Sequence, residues 1–261
     1  MEATLSNGIK TGALRPMGEL VSFTRVHKVY GDASNGSGGV HALHDINLRV
    51  AQGEMVSVCG PCGSGKTSLL NLVGMLETAT EGSVVVASLL VSKLSEQARA
   101  DLRNDMIGFV FQAFSLIPVL TARENVLLPM MLRGRLEHAE LAAVHARADL
   151  LLASLGLATQ AGNYPARLDA NQCQRVAIAR ALIARPRLVL ADEPTSRLDS
   201  GAVRLVMDLF SREQQEHGTA FLLTTRDQRQ FSGATRTLQL TDGRLVAAPG
   251  GSTRRPLRTQ L

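Results

Sequence analysis

Residues 55–68 read Met55-Val56-Ser57-Val58-Cys59-Gly60-Pro61-Cys62-Gly63-Ser64-Gly65-Lys66-Thr67-Ser68, and their reading decides the fold. Met55–Cys59 is short and mostly apolar, as a buried strand is. Thr67-Ser-Leu-Leu-Asn-Leu-Val73 reads as a helix. Between them, Gly60 to Thr67 fits G-x-x-x-x-G-K-[ST], a loop whose backbone N–H groups wrap a nucleotide's phosphates. The glycines let the main chain approach the phosphates, and the following helix offers its unpaired amides and positive dipole end. Lys66 is expected to reach the β- and γ-phosphates and the Thr67 hydroxyl to ligate Mg²⁺. Gly60, Pro61, Cys62, Gly63, Ser64, Gly65 and Ser68 complete the nucleotide-contacting loop.

Outward from this unit the chain alternates strand and helix patterns. Residues 21–30 and 41–50 alternate apolar and polar positions, as half-buried strands do, across a Gly/Ser loop from Gly31 to Gly39. Strands are expected over 84–91 and 106–111, and a Leu/Ala-rich helical region runs from about Leu116 to Leu157. A helix over 172–184 leads to strand 188–191, helix 201–216, strand 220–224 and a terminal pair near 236–247. Strands alternating with helices around a phosphate loop imply an α/β fold with a parallel sheet. Residues 1–19 read as a loose leader, 20–247 as one nucleotide-binding domain with a helical insertion at about 113–170, and 248–261 as a disordered basic tail. There is no internal repeat.

Leu188-Val-Leu-Ala-Asp192-Glu193 is an apolar strand ending in two acids at the sheet edge where ligands of such folds sit. Asp192 is expected to hold Mg²⁺ through water, and Glu193 to face the γ-phosphate and polarise the attacking water. Buried strands also end in acids that cap the next helix. The coincidence of an acid pair with a phosphate loop favours the catalytic assignment.

The 261 residues, 45% of them hydrophobic, can bury a substantial core. A net charge of +5 permits contact with acidic partners. The 3% aromatic content shows no interleaving with basic residues, so no nucleic-acid partner is expected. No apolar run reaches the roughly 20 residues that span a bilayer, and the N-terminus lacks a secretory layout. A cytoplasmic protein is expected, reaching a membrane through a partner. Cys59-Gly-Pro-Cys62 is a C-x-x-C sequence, but it lies inside the phosphate loop with Cys59 directed into the core, which argues against a redox centre.

Further stretches carry a family resemblance. These are Val40-His-Ala-Leu-His-Asp-Ile-Asn-Leu48, Ile107-Gly-Phe-Val-Phe-Gln112-Ala-Phe, Glu124-Asn-Val-Leu-Leu-Pro129, Gln174-Arg-Val-Ala-Ile-Ala-Arg-Ala-Leu182 and Ala191-Asp-Glu-Pro-Thr195. From residue 20 to 247 the chain resembles an ATP-binding cassette subunit of ABC transporters, within the group serving lipoprotein release and macrolide export with FtsX-like permeases. The resemblance implies the ABC ATPase fold: a P-loop NTPase core, an N-terminal antiparallel β subdomain and a helical insertion. It implies ATP and Mg²⁺ as ligands, Tyr30 stacking on adenine, and Gln112 contacting Mg²⁺ and water while sensing the permease. Residues 114–129 would border the permease-receiving surface, and Asp199 would contact a second subunit in a homodimer or a heterodimer. The protein would then sit on the inner face of the cell membrane through its permease.

Three positions depart from that family. Its signature Leu-Ser-Gly-Gly-Gln is here Leu168-Asp169-Ala170-Asn171-Gln172. Asp169 would bring a carboxylate toward a partner-bound phosphate, and two like unit charges about 4 Å apart repel by about 4 kcal/mol at an effective dielectric near 20. Where the family has Thr-His-Asp, this chain has Thr225-Arg226-Asp227. Arg226 keeps a donor and a permanent charge, and could pair either with the phosphate or with Glu193. Arg197 stands where a small residue is usual before Leu198-Asp199. The leading expectation is an ABC transporter ATP-binding subunit with weak hydrolysis in isolation. The alternative is a non-hydrolysing nucleotide-binding scaffold of such a complex.

Overall fold

A computed structural model of the chain describes residues 18–31, 39–134, 137–227, 231 and 233–247. The expected leader lies outside the described residues except for Gly18 and Glu19, and Glu19 already opens the first strand. The interior of the expected Gly/Ser loop, residues 32–38, and the expected tail also lie outside them.

Two sheets form the frame. The first is antiparallel, in the order β2-β1-β4-β5, built from β1 (Glu19–Tyr30), β2 (Val40–Ala51), β4 (Glu81–Val86) and β5 (Leu89–Leu90). The second runs β10-β9-β3-β8-β7-β6, from β3 (Met55–Cys59), β6 (Ile107–Val110), β7 (Leu188–Ala191), β8 (Ala220–Thr225), β9 (Arg236–Thr241) and β10 (Arg244–Ala247). Its ladders are parallel except for the terminal β9–β10 hairpin.

Side chains of β7 and β8 alternate between two cores. Leu188, Leu190, Ala220 and Leu222 join a cluster with helix α1 (Lys66–Val73) and the antiparallel sheet. Val189, Ala191, Phe221 and Leu223 face the opposite way, into a cluster with α3 (Ala122–Leu132), α4 (His138–Ser154), α5 (Ala170–Leu182) and α6 (Ser200–His217). Burial on both faces explains why these strands read as unbroken apolar runs rather than alternating ones.

Local chemistry sets the helix ends. Thr121 and Glu124 form a reciprocal capping box on α3, and Asp199 caps α6 by accepting from the Gly201 and Ala202 amides. Gly218, at φ 66°, closes α6 in the left-handed conformation that costs glycine least.

Three expectations need correction. Residues 84–91 are not one strand: β4 ends at Val86, Ala87 and Ser88 turn with φ of 49° and 68°, and β5 returns antiparallel. The helical region is not continuous from Leu116, because Thr121 starts α3 and Gly134 at φ 115° lies beyond its end. The sequence reading also missed α2 (Glu96–Met106), whose single buried residue gives little apolar periodicity; Ser95, accepting from the Ala98 amide, was the available signal.

Phe210 and Phe221 are fully buried and meet with ring centroids 4.7 Å apart, tying α6 to the sheet. Truncation of Phe210 to alanine is expected to cost about 3–5 kcal/mol of stability, read as a lowered urea midpoint.

Candidate functional site

The carboxyl ends of β3, β6, β7 and β8 gather the candidate residues. β3 delivers the chain to the phosphate loop, and Gly63 and Gly65 turn through φ of 76° and 101°. A Cβ on Gly65 would lie 2.4 Å from the Ala42 carbonyl oxygen, and one on Gly60 would lie 2.2 Å from that of Leu240. Both positions therefore require glycine. The β9–β10 hairpin presses on this loop from outside: the Gly243 amide donates to the Ser64 carbonyl at 3.1 Å, and the His44 amide donates to the Gly243 carbonyl at 2.7 Å.

The loop, Tyr30 and the acid pair enclose a cleft of about 470 Å³. Tyr30, Cys62, Gly63, Gly65, Lys66, Thr67, Ser68, Gln112, Asp192, Glu193 and Arg226 all line it. Gly60, Pro61 and Ser64 do not line it, and Pro61 is exposed. Gly60 and Pro61 present carbonyls that accept from Lys66 Nζ at 2.8 and 2.7 Å. Ser64 is 2% exposed, and its Oγ has no hydrogen-bond partner among the described residues.

Asp192 is the centre of the network. Its Oδ2 accepts from the Thr67 hydroxyl at 2.7 Å, and its Oδ1 from the Thr224 hydroxyl at 2.6 Å. Thr224 Oγ1 also accepts from the Glu193 amide at 3.0 Å. Sequence reasoning assigned Thr224 no role. The signal was the parallel register: Ala191 pairs with Leu223, so one step further Asp192 stands beside Thr224.

Glu193 is 8% exposed and sits at φ 48°, an uncommon conformation for a residue with a side chain. Of the two partners open to Arg226, the structure shows the carboxylate: Arg226 Nε donates to Glu193 Oε1 at 2.7 Å, and Lys66 Nζ lies 4.0 Å from the same oxygen. The hydrogen bond from Arg226 to Glu193 raises the arginine's already high pKa.

Tyr30 donates to Ser68 Oγ at 3.2 Å, Lys28 lies 4.8 Å from its ring centroid, and partial burial pushes the phenol's pKa up. Cys59 is buried with its thiol pKa raised by desolvation, whereas Cys62 is exposed; both are free cysteines. A redox pair needs a low-pKa thiolate, which burial of Cys59 opposes.

The departures from the family pattern also have local roles. Asp169 caps α5, accepting from the Gln172 amide at 2.7 Å while the Gln172 side chain accepts from the Asp169 amide. Asn171 Nδ2 donates to Asp199 Oδ2 at 2.7 Å, linking the start of α5 to the start of α6. Hydrogen bonds from the Ala202 and Gly201 amides and from Asn171 hold the Asp199 carboxyl below its ordinary pKa. The Arg197 guanidinium lies 5.0 Å from the Phe114 ring centroid.

The amino-acid sequence matches the family described as ABC transporter over residues 43–196. It is 41% identical over 219 residues to the lipoprotein-releasing system ATP-binding protein LolD of Bordetella avium (strain 197N), a match covering 84% of this chain and 92% of that protein. The fold is similar to the ATP-binding cassette MJ0796, solved as a dimer in a post-hydrolysis state bound to ADP and Pi. That similarity has a TM-score of 0.80 and 38% identity, over 88% of this chain and 100% of the other. It also resembles cbiO1 from Clostridium perfringens, part of the ABC transporter complex cbiONQ, with a TM-score of 0.73 and 25% identity over 87% of each chain.

Thr224→Val removes the hydroxyl that donates to Asp192 and accepts from the Glu193 amide, leaving both buried groups short of a partner. A loss of about 1–3 kcal/mol in urea unfolding is expected, together with weaker nucleotide binding by calorimetry.

Proposed function

The chain belongs to the ABC transporter family as an ATP-binding subunit and ATPase, and from that premise we propose how its own residues bind and turn over ATP. The observation that carries the proposal is the 2.7 Å hydrogen bond from Thr67 to Asp192, which joins the phosphate loop to the acid end of β7. Loop amides and Lys66 take the phosphates, with Lys66 exchanging the Gly60 and Pro61 carbonyls for phosphate oxygens. Adenine stacks on the face of Tyr30 away from Lys28.

Thr67 hydroxyl, Asp192 carboxylate and Gln112 amide form an all-oxygen donor set, which suits Mg²⁺. When bound, the ion offsets negative charge on the phosphates. Glu193 accepts the proton of the water that attacks the γ-phosphorus, as the bond to the β–γ bridging oxygen breaks and ADP leaves. Gly63, whose missing Cβ leaves open space, and the Lys66 cation line the cleft and fit a phosphate group there.

Among the described residues no helix is long and apolar enough to cross a membrane. Coupling to transport therefore needs a permease, and we assign an FtsX-like one on the resemblance to the lipoprotein-releasing system. A groove of about 400 Å³ near Phe109, Phe111, Ile117, Leu128, Pro129 and Leu132 supports docking of an apolar permease element there. Such docking would place the chain on the inner face of the cell membrane. A second ATP-binding subunit, a copy of this chain or a relative, is proposed by analogy with the dimeric MJ0796, and the family resemblance would have it face Asp169 and Asp199.

The carboxylate of Asp169, in place of a signature serine, favours slow turnover in the isolated chain, since it would repel a partner-bound phosphate. The purified protein is expected to bind MgATP by calorimetry and to release phosphate slowly. Glu193→Gln should lower that release by a further factor of about 10²–10⁴ while binding persists. Equal release by the two proteins would remove Glu193 from the role of base. Binding without release, even with the permease present, would establish the scaffold alternative.

A further inference from the structure

The acids and cations around the phosphate loop are unequally free to move. Glu193 is buried, its amide is tied to Thr224, and its carboxylate faces two cations. Lys66 is equally buried, with side-chain exposure of 6%. Arg226 is different: its side chain is 53% exposed, so it can leave Glu193 at little cost in packing. Both cations line the same cleft as Thr67 and Asp192, where the terminal phosphate is to be held.

A terminal phosphate carries more negative charge than a carboxylate and offers several acceptor oxygens. The planar fork of arginine matches such a group well, and its charge is permanent. A γ-phosphate entering the cleft therefore competes with Glu193 for Arg226, while the phosphates draw Lys66 as well. ADP lacks the competing group.

We propose that Arg226 is a charge-operated latch: it holds Glu193 in the nucleotide-free and ADP-bound chain, and a γ-phosphate draws it off and so releases the carboxylate. The ion pair thereby makes the chain discriminate ATP from ADP. The inference rests on the cleft being the nucleotide site, and it makes Arg226 a partner of Glu193 in the empty cleft and of the γ-phosphate in the filled one. It also gives the replacement of a histidine by an arginine a consequence: the latch responds to the γ-phosphate rather than to a proton.

The test is equilibrium binding of Mg²⁺ complexes of ADP and of the β,γ-imido analogue of ATP to the full chain, at concentrations where it is monomeric. Arg226→Met, which keeps length without charge, should weaken the analogue about tenfold and leave ADP nearly unchanged, as loss of one charged hydrogen bond implies. Arg226→Lys should restore part of the preference. Glu193→Gln should strengthen analogue binding about threefold more in the Arg226 protein than in the Arg226→Met protein, a coupling expected only of residues that compete for one another. Equal weakening of both nucleotides in Arg226→Met, or equal gains from Glu193→Gln in both backgrounds, would overturn the latch while leaving the nucleotide site intact. Failure of the unaltered chain to bind either nucleotide would overturn the site and the latch together.

Discussion

A carboxylate buried where a parallel sheet meets its ligand loop needs donors, and the organisation of this site follows from how Asp192 finds them. At 7% exposure it has little water to solvate it, and an unpaired charge there would be prohibitively costly. Two threonine hydroxyls meet the need, one from the first turn of α1 at the end of the phosphate loop and one from β8. The same acid thus joins three consecutive parts of the parallel ladder, β3, β8 and β7, at their carboxyl ends. Because Thr224 also receives the Glu193 amide, the position of the second acid is inherited from the first.

Around that fixed point the charges are paired rather than merely near one another. Lys66 satisfies backbone carbonyls of its own loop, and Arg226 satisfies Glu193. The unusual residues Asp169, Asn171 and Arg197 likewise have partners within the chain: a helix amide, Asp199 and the Phe114 ring. The departures from the family pattern therefore do not weaken the fold. They alter the surface proposed to meet a second subunit, and they alter what stands beside Glu193, the proposed base.

Much of this was legible in the order of residues. The phosphate loop and the acid-tipped strand β7 were readable because each needs a specific chemistry at a specific spacing: glycines where a Cβ would collide, and a run of apolar residues buried on both faces. The N-terminal hairpin was readable from its alternation. The turn at Ala87 and Ser88 was not, because two non-glycine residues adopt positive φ there without a turn signature. Helix α2 escaped because it buries only Met106. Within the site, the role of Thr224 was hidden because it arises from strand register, which no local pattern encodes. The pairing of Arg226 with Glu193 likewise required the placement of its neighbours.

The late hairpin β9–β10 closes on the phosphate loop through Gly243 and Leu240, although nearly 180 residues of chain separate them from Gly60 and Ser64. Synthesis on a ribosome proceeds from the N-terminus, so the loop is made long before the strands that brace it. A nascent chain stalled short of residue 240 would carry the whole nucleotide motif and still lack the support that shapes it. The fully braced loop therefore forms only after residues 240–243 have been made and have joined the sheet.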